Sequence, residues 1–169
     1  DTATGTLIDL YLRKQIELPD ETVHLLFSAN RWEASSAMVE ELGRGTNLVC
    51  DRYAFSGVAY SAAKGLDFEW CQAPDIGLPT PDGVFYMHVP PAVGAGRANF
   101  GDERYENKEM QTQVREEFKR PALKAGVAWH DIDGAREVNV IQQEVREAVD
   151  AIRLARKENS PGRVKPLWL

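Results

Sequence analysis

Short apolar, β-prone runs alternate along this sequence with longer stretches of helical periodicity, and that alternation constrains the fold more than any other feature. Three runs qualify as strands: 46–50, 84–89 and 127–132, the last lying between Gly126 and Gly134. Helical spacing covers 6–15 and must end before Pro19; a second helix runs from Asp20, read as its N-cap, to about Leu42, where Gly43 and Gly45 stop it. Residues 54–64 are rich in small side chains and read as helical, 67–71 gives a further turn or two, and 74–81 is a proline-rich loop. The regions 107–124 and 137–157 carry helical spacing with heavily charged outer faces. Strand then helix, repeated, is the pattern of an α/β protein with a parallel sheet.

Composition narrows the function. With 43% hydrophobic and 27% charged residues over 169 positions, the chain has the material for one core, and 1–169 is read as a single domain. A net charge of −6 argues against a general nucleic-acid or anionic-membrane surface, while leaving room for a local pocket of arginines. No run approaches the roughly 18 apolar residues of a membrane helix, and Asp1-Thr2-Ala3-Thr4 has no signal pattern, so the expected location is the cytoplasm, with the nucleus also open. Cys50 and Cys71 form no CxxC and no cluster with His24, His88 or His130; both are read as buried thiols rather than zinc or disulfide partners.

Two places carry side chains suited to phosphate and base chemistry. The run 46–50 delivers Asp51 and Arg52 to its carboxyl end, where ligands bind in open α/β sheets, and a carboxylate beside a guanidinium suits Mg²⁺ and phosphate. An Asp and Arg at a strand end also make an ordinary ion pair, so the tripeptide Asp51-Arg52-Tyr53 is weak alone. In the second helix Phe27 and Arg31 lie one turn apart on one face with Asn30 beside them, an aromatic plate next to a donor; on an isolated helix the same spacing more often means a core Phe and a solvated Arg. The tract 90–106, with Pro90, Pro91, Gly94 and Gly96 before Arg97, Phe100, Arg104 and Tyr105, has the composition of a basic loop that closes over phosphates, though an ordinary surface loop shares it.

The segments taken in order are more specific than any one of them. Leu25-Leu26-Phe27-Ser28-Ala29-Asn30-Arg31-Trp32-Glu33, then Asp51-Arg52-Tyr53-Ala54-Phe55-Ser56-Gly57-Val58-Ala59-Tyr60, then Trp70-Cys71 and Pro74-Asp75-Ile76-Gly77-Leu78-Pro79, then Phe100-Gly101-Asp102-Glu103-Arg104-Tyr105-Glu106, closely resemble thymidylate kinases of the eukaryotic type, from about Thr2 to Trp168. The resemblance implies a three-layer P-loop NTPase-like fold and transfer of a phosphoryl group from ATP to dTMP with Mg²⁺, in a homodimer to which the helix from Asp20 contributes. By the same resemblance Phe27 stacks on thymine, Arg31 hydrogen-bonds its carbonyl edge, Arg52 grips the 5′-phosphate, and Asp51 helps hold Mg²⁺. Ser56, Gly57 and Tyr60 match the nucleoside pocket, with Gly57 allowing close backbone approach, and Tyr53 and Tyr105 match positions near the deoxyribose. Arg97 matches the lid arginine; Arg136 and Arg146 match basic positions near adenine or the phosphates, although arginines on a charge-rich helix are also expected simply to be solvated.

One feature of the family is missing from the sequence. None of its 13 glycines is followed by lysine, so it contains no G-x-x-x-x-G-K-[ST] phosphate loop, which the family places upstream of the segment matching Thr2. The expectation is that the native protein carries this unit ahead of Asp1, since without it the neighbouring strands of the sheet would face an unfilled gap with unpaired backbone groups. Two alternatives stay open: a kinase for another pyrimidine nucleotide, and a non-catalytic nucleotide-binding protein.

Overall fold

A computed structural model describes residues 2–90, 105, 108–159 and 164–169. Helix α1 (Ala3–Leu12) starts on Thr2, whose hydroxyl accepts from the Gly5 amide at 3.1 Å. Helix α2 (Asp20–Gly43) begins directly after Pro19, so Asp20 is its first residue and not its N-cap; there it places a carboxylate in the first turn, favoured by the helix dipole. The helix closes with the Gly45 amide on the Leu42 carbonyl and the Thr46 amide on the Glu41 carbonyl, with Gly45 at φ 86°, a conformation a side chain would strain.

Helix α3 (Ala54–Ala62) is the centre of the molecule, packing against α2, against α4 (Phe68–Gln72) and against α5 (Lys108–Phe118). Its small residues explain this position: Ala54, Phe55, Val58 and Ala59 are all buried, and the alanines let neighbouring backbones come close. A 3₁₀ turn, Ala73–Asp75, follows α4, then strand β1 (Val84–His88). Pro121 splits the expected single helix at 107–124 into α5 and the short α6 (Pro121–Lys124), because proline fits the first turn of a helix and not its interior. Strand β2 (Trp129–Asp133) and the long α7 (Val138–Asn159) complete the order.

β1 and β2 pair in parallel, from Val84 opposite Trp129 to His88 opposite Asp133. The core joins them to α3 through aromatic contacts: Phe55 meets Trp129 and Trp168 edge-on at 5.4 and 5.5 Å, and Tyr86 lies 4.6 Å from Phe118. The C-terminal residues are clipped onto the proline-rich loop, with the Leu167 amide on the Leu78 carbonyl at 2.7 Å and both side chains fully buried.

The run 46–50 is not a strand. It forms no ladder, Val49 is 98% exposed, and Cys50 is exposed rather than buried, whereas Cys71 is buried as expected. An apolar β-prone run becomes a strand only where its amides and carbonyls find a neighbour, and among the described residues β1 and β2 pair only with each other.

Candidate functional site

A buried polar cluster lies where α2, α3 and the 3₁₀ turn meet. Arg31 donates from Nε and Nη2 to the two oxygens of Asp75 at 3.0 and 2.6 Å, and Ser28 Oγ donates to Asp75 Oδ1 at 2.7 Å. Asp75 is fully buried and the Arg31 side chain is only 12% exposed, so the pair is desolvated and held in one geometry. Trp32 completes the α2 face by donating to the Pro74 carbonyl at 2.7 Å. On the other side the guanidinium rests against α3: a Cβ on Gly57 would stand 2.9 Å from Nη2 and 3.1 Å from Nη1. The absence of a side chain at Gly57 is what lets the Arg31 guanidinium lie this close to the α3 backbone. Phe27 is half-buried one turn before Arg31, while Asn30 turns to α1, donating to Thr2 and Thr4 at 2.9 Å each.

Below this pair His24 is buried, with Nε2 donating to the Cys71 carbonyl at 2.9 Å and Nδ1 accepting from Ser61 at 2.8 Å. Burial lowers its pKa from the ordinary 6.5, against an opposing push from Asp75. A base held neutral in the fold takes up protons more readily once unfolded, so its contribution is present above pH 6.5 and is lost as pH falls toward the depressed value. Denaturant midpoints between pH 7.5 and 5 are expected to fall more steeply for the native protein than for His24→Gln; parallel curves would show that His24 does not titrate with folding.

A second group of side chains lies along the same side of α3. Asp51 and Arg52 are both exposed, and Arg52 takes φ 64°, unusual for a side chain larger than glycine, with its guanidinium carbon 5.4 Å from the Tyr60 ring centre. Tyr60 meets Tyr105 at 5.3 Å, and Gln111 joins them by donating to the Tyr60 hydroxyl and the Tyr105 carbonyl at 3.2 and 2.9 Å. Lys64 holds the far side of Tyr105, donating to its hydroxyl at 3.2 Å, to Tyr11 at 3.3 Å and to Asp20 at 2.6 Å. Burial alone would lower the Lys64 pKa, but Asp20 and the tyrosines raise it, so it stays charged; burial likewise raises the Tyr105 hydroxyl.

The remaining candidates are placed less centrally. The Tyr53 hydroxyl is committed to the Pro79 carbonyl at 3.0 Å, and Ser56 sits half-buried in the first turn of α3. Arg136 pairs with Glu144 and with the Asp133 carbonyl beside a shallow groove on α7; Arg146 is exposed on that helix, and no contact among the described residues joins either to the α2–α3 cluster. Arg97, Phe100 and Arg104 lie outside the described residues, as does the expected lid at 90–106 apart from Pro90 and Tyr105.

Residues 1–145 match the sequence profile of the family described as thymidylate kinase. The chain belongs to the thymidylate kinase family. The thymidylate kinase of Schizosaccharomyces pombe is 42% identical over 156 residues, covering 90% of this chain and 74% of the relative. That of Danio rerio is 44% identical over 168 residues, covering 99% and 78%. The solved thymidylate kinase of Candida albicans superposes with a TM-score of 0.82 at 29% identity, over 98% of this chain and 81% of that one. Within a thymidylate kinase frame, Asp75, Ser28, Lys64 and Gln111 are the residues that reading the sequence left without a role. None of them carried a signal by itself: Asp75 stands in a proline-bounded loop where a solvated carboxylate is the ordinary case.

Proposed function

We propose that the chain binds dTMP against the facing sides of α2 and α3 and transfers the γ-phosphoryl group of ATP to it, giving dTDP for dTTP synthesis. The observation that carries this reading is one convergence: a desolvated guanidinium fixed in a single orientation, a half-buried ring one turn before it, and an exposed guanidinium over an aromatic wall. Phe27 stacks on thymine and Arg31 donates to its carbonyl edge. Arg52 grips the 5′-phosphate, and Ser56, Gly57 and Tyr60 line the nucleoside. Tyr53 and Tyr105 flank the sugar, where a ribose 2′-hydroxyl without a partner would be costly, so the acceptor is a deoxynucleotide.

In the reaction a 5′-phosphate oxygen of dTMP forms a bond to the γ-phosphorus of ATP in line with the breaking bond to the β-phosphate, and ADP leaves with that bridging oxygen. Arg52, together with Arg97, balances the charge that spreads over the transferred group; Arg136 and Arg146 serve the ATP side. Among the described residues no cluster of three or more ligands is built to hold a metal, but the single exposed carboxylate of Asp51 fits Mg²⁺, which takes one or two carboxylates together with phosphate oxygens and water. Bound there, Mg²⁺ would neutralise charge on the β- and γ-phosphates. Leu25, Trp32 and Val39, exposed and spaced by seven along α2, form the stripe assigned to a homodimer in the cytoplasm. No helix among the described residues is long and apolar enough to cross a membrane.

The test is ADP release from ATP and Mg²⁺ with and without dTMP, using protein made from the complete coding sequence. Release that depends on dTMP, and exceeds that with dUMP, dCMP or thymidine, is the expected result. A preference for another acceptor would reassign the substrate, and dTMP binding without turnover would make this a non-catalytic nucleotide binder.

A further inference from the structure

We propose that Asp75 is the positioning residue for base recognition, fixing Arg31 so that its free edge accepts only a pyrimidine with a carbonyl at C4. The inference rests on the reading that Arg31 contacts the base. An arginine on a helix surface ordinarily samples many rotamers, and ordering it on binding costs affinity. Here the ordering is done in advance. Asp75 takes both Nε and Nη2, Ser28 fixes the carboxylate in turn, and the α3 backbone at Gly57 closes the opposite side. Nη1 is thereby left as a donor that cannot retreat.

Selectivity follows from that rigidity. Thymine and uracil present an acceptor at C4, whereas cytosine presents an amino group that is itself a donor. A mobile guanidinium could swing aside from cytosine; a pinned one meets it donor to donor, and the mismatch is felt in full. Full burial of Asp75 argues for the same role, since a carboxylate without access to water has only its Arg31 and Ser28 partners to satisfy its oxygens, and those contacts hold the guanidinium in place.

The experiment compares kcat and KM for dTMP and dCMP in the full chain and in Asp75→Asn, Ser28→Ala, Arg31→Gln and the double variant Arg31→Gln/Asp75→Asn. Asp75→Asn is expected to raise KM for dTMP about 10-fold with kcat within about 3-fold, and to shrink the dTMP-to-dCMP preference by about 10-fold. In the Arg31→Gln background Asp75→Asn should add little to KM. Unchanged KM and preference in folded Asp75→Asn, or the full effect persisting without Arg31, overturns the proposal. Where Asp75→Asn does not fold, Ser28→Ala decides: a KM raised about 3-fold supports the proposal, and an unchanged KM and preference overturn it. Absence of turnover in the unaltered protein, or an Arg31→Gln variant with normal KM, instead removes the underlying assignment of Arg31 to the base.

Discussion

Replacing Arg52 with glycine is expected to lower kcat/KM for dTMP by about 10² to 10³-fold while leaving the protein as stable as before or more so. The two halves of this expectation have separate causes. Arg52 holds φ 64°, which for a residue with a Cβ costs roughly 1–2 kcal/mol and for glycine costs almost nothing. The gain is partly offset by the greater freedom of glycine in the unfolded chain, leaving a net change between zero and about 1 kcal/mol. What the strained backbone secures is position, because Arg52 follows Asp51 immediately, precedes α3, and sets its guanidinium over the Tyr60 ring with both polar groups open to solvent. Arg52→Lys keeps the charge but loses the planar fork that matches a phosphate, and should recover only part of the rate. Paired measurements of melting temperature and steady-state kinetics decide the matter. Lost stability with retained activity would assign Arg52 to folding and remove it from the phosphate site.

What the sequence disclosed depends on how far each residue lies along the chain from its partners. β1 and β2 stand where β-prone runs were read, 84–89 against Val84–His88 and 127–132, between Gly126 and Gly134, against Trp129–Asp133, because their partners are each other and both lie in the described chain. The run 46–50 has the same composition and fails as a strand, since composition describes how a segment can pair and says nothing of what it pairs with. Arg31 and Phe27 were legible as one helical face because a helix fixes neighbours three and four residues apart. Asp75 was not, because its place depends on a contact spanning 44 residues, from α2 to a loop whose prolines and aspartate look suited to solvent. Lys64, only the end of a helical stretch in the sequence, gathers Tyr11, Asp20 and Tyr105 from three parts of the chain. Asn30 shows the converse failure, a residue adjacent to the site in sequence whose side chain serves the α1 contact.

Gly57→Ala separates the site from an ordinary helix most sharply, because its sign is reversed. Alanine in the interior of a helix is normally better than glycine by about 0.5–1 kcal/mol. At position 57 the added carbon would stand 2.9 Å from Arg31 Nη2, and an arginine tip can usually swing away from such a contact at little cost. This one cannot, since moving it breaks a pair in which the Asp75 carboxylate has no access to water. Either the pair opens, leaving a buried charge uncompensated, or α2 and α3 separate. Both routes predict a loss of about 2–4 kcal/mol, read from denaturant unfolding, with kcat/KM for dTMP down at least about 10-fold. With the pair removed from both sides, in Arg31→Met/Asp75→Leu, the same substitution should recover its ordinary sign and stabilise the helix. A destabilisation that persists without the pair would place the steric conflict elsewhere and free Arg31 from the constraint on which its selectivity is argued.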